Sequence, residues 1–141
     1  YSSTAVYALL SAIARVPLRQ DIAVTGSVNQ MGQIQPVGGV TEKVEGFYRI
    51  CKKAGLTGTQ GVMIPKQNIN NLTLSREIME AVKDGSFSIY AVGTVDEGLE
   101  VLTGHNPGQP DEKDRFPEGS FNYLVSLELL KMANTIKAFK D

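Results

Sequence analysis

Residues 21–43 read DIAVTGSVNQMGQIQPVGGVTEK, and this stretch decides the fold that we predict. Residues 21–28 carry mostly small or branched side chains, which is typical of a strand that is buried on both faces. Residues 29–32 have the composition of a turn, and residues 33–37 predict a strand that returns beside the first. The double glycine at 38–39 ends that strand. The stretch therefore predicts a strand and a hairpin that lead directly into another element.

The segments around this stretch alternate between helices and short strands. Apolar residues at helical spacing predict the helices, and short apolar runs bounded by turn residues predict the strands. Ser2, Ser3 or Thr4 is expected to cap the first helix. Thr41 and Thr94 are expected to cap two later ones. The chain thus predicts helices over 4–14, 41–54, 76–82 and 94–102, strands over 61–65 and 88–92, and a loop over 66–74.

The end of the chain has a different composition. Residues 104–119 hold three prolines, several glycines and a run of charges, and they predict a linker. Leu124, Leu127, Leu130 and Ile136 follow at helical spacing and predict a docked C-terminal helix. The sequence leaves open whether this helix packs on its own domain, on a neighbouring subunit or on another module of the same protein. We therefore expect the α/β class: a compact domain with short mixed strands, a hairpin and flanking helices over residues 1–103, a linker over 104–119 and a C-terminal helix over 120–141.

Composition excludes several classes of function. The 141 residues have a formal net charge of −1 and lack the basic surface that binds nucleic acid or anionic lipid, so we expect neither partner. A single cysteine, Cys51, excludes a cysteine-rich zinc site. Uncharged stretches are too short or too polar to cross a membrane. The sequence opens at Tyr1 without an initiator methionine, and we expect it to be part of a longer, cytoplasmic protein.

The one histidine limits the available catalytic chemistry. His105 lies in the Pro/Gly segment, which leaves a metal-dependent enzyme without a convincing ligand set, and we expect no metal site. A Ser-His-Asp arrangement would depend on that same residue. If this chain performs general-base catalysis, the base is expected to be a lysine or a carboxylate.

A candidate catalytic site is expected where the double glycine leads into the second helix. Gly38 and Gly39 let another backbone approach without a Cβ collision. Lys43 lies in the first helical turn, where the positive end of the helix dipole disfavours an ammonium ion. Desolvation by apolar neighbours would disfavour that ion further, and a neutral lysine can take a proton from a serine hydroxyl. The same pattern also fits a solvated lysine, with Glu42 complementing the helix end and Ser2 serving only as a cap.

Residues 21–43 resemble the proteolytic domain of the Lon proteases. They match the family pattern of strand, Thr-Gly, hairpin and Pro-x-Gly-Gly-x-x-Glu-Lys without a gap. The resemblance continues through residues 61–65 and 90–97 to about Gly104, which is roughly three quarters of the chain. Residues 28–30 and 44–47 are closer to the bacterial Lon-like branch, of LonB type, than to the common housekeeping form.

The resemblance implies roles for particular residues. Lys43 matches the family's catalytic lysine, the general base of a Ser-Lys dyad. Thr25 matches the strand threonine that lies near the lysine and holds it by a hydrogen bond. Gly38, Gly39 and Glu42 match the framework of the motif.

The nucleophile is the departure from the family pattern. In the family, the serine stands just ahead of the first helix, and the usual separation from Lys43 places it immediately before Tyr1. Two interpretations remain open: the serine precedes the given sequence, or Ser2 serves after a local shift. We favour the first, under which the chain as given is expected to be inactive. A residue other than serine before Tyr1 would favour a non-catalytic Lon-like module for assembly or substrate holding.

The resemblance also implies partners. Unfolded protein segments are expected to bind as an added strand beside residues 33–37. The resemblance implies an AAA+ ATPase module in the same parent chain, which is expected to bind ATP and Mg²⁺. No G-x-x-x-x-G-K-[ST] loop occurs here, so we expect this domain to bind no ATP and no other cofactor. The subunits are expected to form a homo-oligomeric ring, as a hexamer.

Overall fold

The fold is that of a computed structural model, which describes residues 2–113 and 115–140, the last two of these by their backbone only. Within these residues the helices are α1 Ser3–Ala14, α2 Val40–Ala54, α3 Arg76–Asp84, α4 Val95–Thr103 and α5 Phe121–Lys140. The strands are β1 Ile22–Val24, β2 Ser27–Val28, β3 Ile34–Gln35, β4 Gly61–Pro65 and β5 Ser88–Val92.

A parallel sheet of three strands forms the middle of the molecule, in the order β1-β4-β5. Val62 of β4 lies opposite Ala23 of β1 and Ile89 of β5. All five residues of β4 are buried, as expected for the central strand of a parallel sheet that is covered on both faces. The strand over residues 61–65 is thus confirmed to the residue.

Helices cover both faces of this sheet and divide the core in two. On one face, Met63 packs in a cluster with residues of α1, α4 and α5, including Tyr7 and Leu99. On the other face, Val62 and Ile64 pack with residues of α2 and α3. Side chains alternate between the faces along β4, so one strand contributes to both clusters. This arrangement confirms the α/β class.

The strand predicted over residues 21–28 is in fact two strands. The chain leaves the parallel sheet after Val24 and turns at Gly26, whose φ is +103°. A Cβ at Gly26 would lie 2.9 Å from the Pro65 ring, so the turn requires glycine. Ser27 and Val28 then pair antiparallel with β3, which confirms the hairpin.

The predicted helix caps are right at Thr94, wrong at Thr41 and right only in position at Ser2. Thr94 caps α4, because its Oγ1 accepts a hydrogen bond from the Glu97 amide at 3.2 Å. Gly39, not Thr41, is the N-cap of α2. Ser2 occupies the N-cap position of α1, but none of the three candidate side chains makes a capping hydrogen bond there.

Residues 66–74 are not an unstructured loop. Lys66–Asn71 form a 3₁₀ helix directly after β4. Polar asparagines dominate this stretch and give no apolar periodicity, which is why the sequence predicted only a loop.

The C-terminal helix is docked over its first half only. Phe121 is fully buried against the sheet cluster, and its amide donates to the carbonyl of Asn106. Residues 131–138 are all exposed, and Leu130 and Ile136 are 59% and 57% exposed. The predicted inward position of those two side chains is therefore wrong. None of the helices in the described residues is long and apolar enough to cross a membrane.

Gly98 of α4 is expected to be irreplaceable, because a Cβ there would overlap the Tyr7 hydroxyl and lie 2.9 Å from Met63 Cε. Gly98→Ala is expected to lower the free energy of unfolding by about 1–3 kcal/mol. Gly46→Ala in α2, where nothing lies within 4 Å, is the matched control and is expected to raise it by about 0.5–1 kcal/mol. Urea unfolding measures both, and equal stability of the two variants would contradict this packing.

Candidate functional site

The candidate site lies at the carboxyl ends of the parallel strands. Thr25 follows β1, the 3₁₀ helix Lys66–Asn71 follows β4, and Gly93 follows β5. Parallel strands place these three connections at the same edge of the sheet. Helix α2, with Lys43 in its first turn, begins against the 3₁₀ helix, so the site is built from segments far apart in the sequence.

Lys43 is exposed in this structure. Its backbone amide donates to the Gly39 carbonyl at 3.1 Å, which fixes the helical turn but leaves the side chain free to extend into solvent. Its amine makes no hydrogen bond to Ser2, Thr25 or any other group within residues 2–113 and 115–140. In a single chain, the described residues therefore do not enclose the side chain of Lys43.

Thr25 is held to the neighbouring strand. Its backbone amide and its hydroxyl both donate to the carbonyl of Met63, at 3.1 and 2.8 Å. The expected hydrogen bond to Lys43 is not formed. The Thr25 hydroxyl donates its only proton to Met63, so its oxygen can take part in a further hydrogen bond only as an acceptor.

The first turn of α1 is tied to the residue that follows Thr25. The amide and the hydroxyl of Ser3 donate to the Gly26 carbonyl at 3.2 and 2.8 Å. Ser2 forms an antiparallel bridge with Ser27 and is exposed. The structure thus brings the start of α1 beside Thr25. Ser3 is 1% exposed, and its position as a buried donor was missed because a serine at a helix start resembles a cap.

The double glycine borders an open groove. Gly39 has a φ of +70°, a conformation that favours glycine, whereas a Cβ at Gly38 would meet nothing within 4 Å. Glu42 lies over the turn, with its Oε2 3.5 Å from where a Cβ of Gly39 would be. The groove has a volume of about 510 Å³ and is lined by residues 36–42, Asn68 and Asn71.

Asn68 is the residue that sequence reasoning missed. It is 3% exposed, and its side chain forms two hydrogen bonds with the backbone of a single residue, Val37. Its Oδ1 accepts from the Val37 amide at 2.8 Å, and its Nδ2 donates to the Val37 carbonyl at 2.9 Å. Nothing in the sequence distinguishes Asn68 from its neighbours Asn70 and Asn71, because all three lie in one polar segment.

A second tie joins the same segment to α2. The Thr41 hydroxyl donates to the Asn71 carbonyl at 3.4 Å and accepts from the Thr73 amide at 3.1 Å. Thr41 therefore fastens the first turn of α2 instead of capping it.

The edge predicted to receive an added strand, residues 33–37, is partly occupied. The Ile34 amide donates to the Gly93 carbonyl at 2.9 Å, and Gln33 bridges to Thr94. Both backbone groups of Val37 are paired with Asn68. A peptide cannot pair with these groups without displacing them, so the groove beside Gly38 is the more accessible surface.

The remaining candidate groups lie elsewhere. Cys51 is packed in the α2–α3 cluster, and burial raises the pKa of its thiol, which disfavours the nucleophilic thiolate. His105 is exposed beyond α4. Within the described residues, no group of three or more His, Cys, Asp or Glu side chains is arranged to hold a metal ion.

Comparison with known proteins gives a family match over most of the chain. The family model described as the Lon protease (S16) C-terminal proteolytic domain matches residues 2–104. This range includes Ser2, Thr25, Lys43 and Asn68, and it ends just after α4.

Individual relatives carry the same name. The chain is 53% identical over 95 residues to a protein of Escherichia coli (strain K12) named as a Lon protease homolog, covering 67% of this chain and 16% of that protein. A homolog so named in Haemophilus influenzae is 47% identical, with 74% and 18% covered. The archaeal Lon protease of Thermococcus kodakarensis is 36% identical, with 76% and 14% covered. The chain therefore spans less than a fifth of the length of each of these relatives.

The two glycines of the turn are expected to respond differently to substitution. Gly39→Ala is expected to lower the free energy of unfolding by about 1–2 kcal/mol, because its φ of +70° disfavours a side chain. Gly38→Ala is expected to change it by less than about 0.5 kcal/mol, because the added methyl group meets open space. Chemical denaturation measures both, and a larger loss for Gly38→Ala would contradict the open groove.

Proposed function

The chain belongs to the family of Lon protease (S16) C-terminal proteolytic domains, and on that premise we propose that it hydrolyses peptide bonds of unfolded proteins with a Ser-Lys dyad. Lys43 is the base in this proposal. The observation that carries it is the position of Lys43 in the first turn of α2, directly after residues 36–42, which line a groove.

The proposed reaction is acyl transfer. The serine oxygen attacks the peptide carbonyl while its proton passes to the amine of Lys43, and the carbonyl oxygen becomes an oxyanion. Backbone N–H groups at a helix start stabilise that oxyanion. The lysine then gives its proton to the departing amine as the peptide C–N bond breaks. Water next attacks the acyl-enzyme and gives a proton to Lys43, which returns it to the serine oxygen as the ester bond breaks and the carboxylic acid is released.

The proposed nucleophile is a serine immediately before Tyr1. The ties of Ser3 to Gly26 and of Ser2 to Ser27 support this proposal, because they place the start of α1 beside the strand end that carries Thr25. Ser2 is the less suitable nucleophile, since it already occupies the N-cap of α1 and pairs with Ser27.

A bound peptide is proposed to complete the site. Lys43 is exposed, so its side chain is accessible to water. An extended segment in the groove beside Gly38 would exclude water from the start of α2. Removing water from an amine favours its neutral form, so substrate binding itself would activate the base.

The assembly around the domain is also part of the proposal. We expect a separate AAA+ ATPase module of the same protein to bind ATP and Mg²⁺, and to unfold substrates and deliver them in the cytoplasm. We expect the subunits to form a ring of six, with no cofactor bound by this domain. The small share of each relative that the chain covers leaves room for such a module in those proteins.

A non-catalytic role in assembly or substrate holding is the second candidate. The observation that favours it is the exposed side chain of Lys43, which makes no hydrogen bond to Thr25 or to another group within the described residues. Under this alternative the groove would bind peptide without cleaving it.

The test compares the given chain with one that carries a serine immediately before Tyr1. The chain with the added serine is expected to hydrolyse dye-labelled casein, a protein without a stable fold, and the given chain is expected not to. Lys43→Ala is expected to reduce the rate at least about a hundredfold. Lys43→Arg is expected to be equally inactive, because a guanidinium does not release its proton. Release of labelled peptides is the measurement.

Two controls decide the alternatives. Lys53→Ala, on the same helix and also exposed, is expected to leave hydrolysis unchanged. Ser2→Ala is expected to have no effect on the chain with the added serine. Hydrolysis that survives Lys43→Ala refutes the lysine assignment, and binding of casein without cleavage by the chain with the added serine supports the non-catalytic role.

A further inference from the structure

We propose that Asn68 is a positioning residue for the reaction of Lys43, an inference that rests on the proposed peptidase function. The proposal is that its side-chain amide, by pairing with the Val37 backbone, holds the Gly38–Gly39 turn and thereby the first turn of α2 in place.

The pairing of Asn68 with Val37 has the form of a strand-to-strand contact. One side chain supplies both an acceptor and a donor to the amide and the carbonyl of the same residue, at 2.8 and 2.9 Å. The Asn68 side chain is buried, so neither hydrogen bond is exchanged readily for one with water. A ring of two hydrogen bonds fixes orientation as well as distance, which a single bond does not.

The segment that follows needs such a support. Gly38 and Gly39 lack side chains, and a pair of glycines leaves a backbone with wide conformational freedom. Gly39 nevertheless supplies the carbonyl that accepts the Lys43 amide at 3.1 Å. A continuous path of contacts therefore runs from Asn68 through Val37 and the two glycines to Lys43.

Thr41 holds the same turn from its other side. Its hydroxyl joins the Asn71 carbonyl and the Thr73 amide, both in or next to the 3₁₀ helix that carries Asn68. The 3₁₀ helix is anchored in turn because it follows β4, which is buried throughout. The start of α2 is thus fastened to the central strand of the sheet by two sets of side-chain hydrogen bonds.

The position of the groove is a further reason to expect that the Asn68–Val37 hydrogen bonds affect catalysis. Asn68 and Asn71 line the groove together with residues 36–42. A peptide lying there would be positioned against the same turn that carries Lys43. A shift of the turn would change the distance from the base to the reacting atoms, and misplacement by about 1 Å costs up to a hundredfold in rate.

The test is Asn68→Asp in the chain with a serine before Tyr1. The introduced carboxyl, when protonated, can still accept from the Val37 amide and donate to the Val37 carbonyl. When ionised it repels that carbonyl, and burial raises its pKa above the usual value of aspartic acid. The rate relative to the unsubstituted chain is therefore expected to be near one at acidic pH and to fall at least about tenfold as pH rises through that pKa.

Asn70→Asp is the matched control, because it adds the same charge to the same 3₁₀ helix at an exposed position. Its relative rate is expected to stay flat with pH. In Asn68→Asp, kcat is expected to fall more than KM rises. Thr41→Val, which removes the second tie from a partly exposed position, is expected to lower kcat about tenfold with the fold intact by circular dichroism.

The outcomes separate this inference from the proposed function. If the unsubstituted chain with the added serine does not hydrolyse casein, or still does so after Lys43→Ala, the proposed function fails and the role of Asn68 fails with it. If hydrolysis depends on Lys43 but Asn68→Asp and Asn70→Asp have the same pH profile, only the role of Asn68 is overturned. A loss in Asn68→Asp that coincides with unfolding at every pH also overturns it.

Discussion

The burial of β4 on both faces is the constraint on which the rest of the structure depends. Val62 and Ile64 belong to one core cluster and Met63 to the other, so a single strand joins the two helical layers. A parallel sheet covered in this way directs the carboxyl ends of its strands to one edge. Thr25 and the 3₁₀ helix Lys66–Asn71 lie at that edge because β1 and β4 end there.

The candidate site combines this rigid edge with a turn that has little rigidity of its own. Gly38 and Gly39 open the groove to another chain, at the cost of the conformational restriction that side chains provide. Buried hydrogen bonds from Asn68 and surface hydrogen bonds from Thr41 replace that restriction. In our proposal, these hydrogen bonds leave the groove accessible while holding its backbone in a conformation that can receive an extended peptide.

Lys43 is exposed in a single chain, whereas the chemistry that we propose needs its amine to be shielded from water. Membership in the Lon proteolytic-domain family and the position of Lys43 on α2 support our proposal that Lys43 is the general base. In a single chain the side chain of Lys43 is exposed to water. In our proposal the missing cover comes from the substrate, so the base would be active only when a peptide occupies the groove.

The sequence alone determined the α/β class, β4, the hairpin and the position of Lys43 in the first turn of α2, because hydrophobic periodicity, glycine breaks and turn residues act over a few neighbouring residues. Only the tertiary structure decided which polar side chains work together. The division of the strand at Gly26 depends on the Pro65 ring, and the partner of Asn68 lies 31 residues away. Likewise, only the first half of α5 packs in the cluster that contains α1 residues, and residues 131–138 are exposed. Such contacts depend on how segments that are distant in the sequence pack together, so no local sequence pattern predicts them.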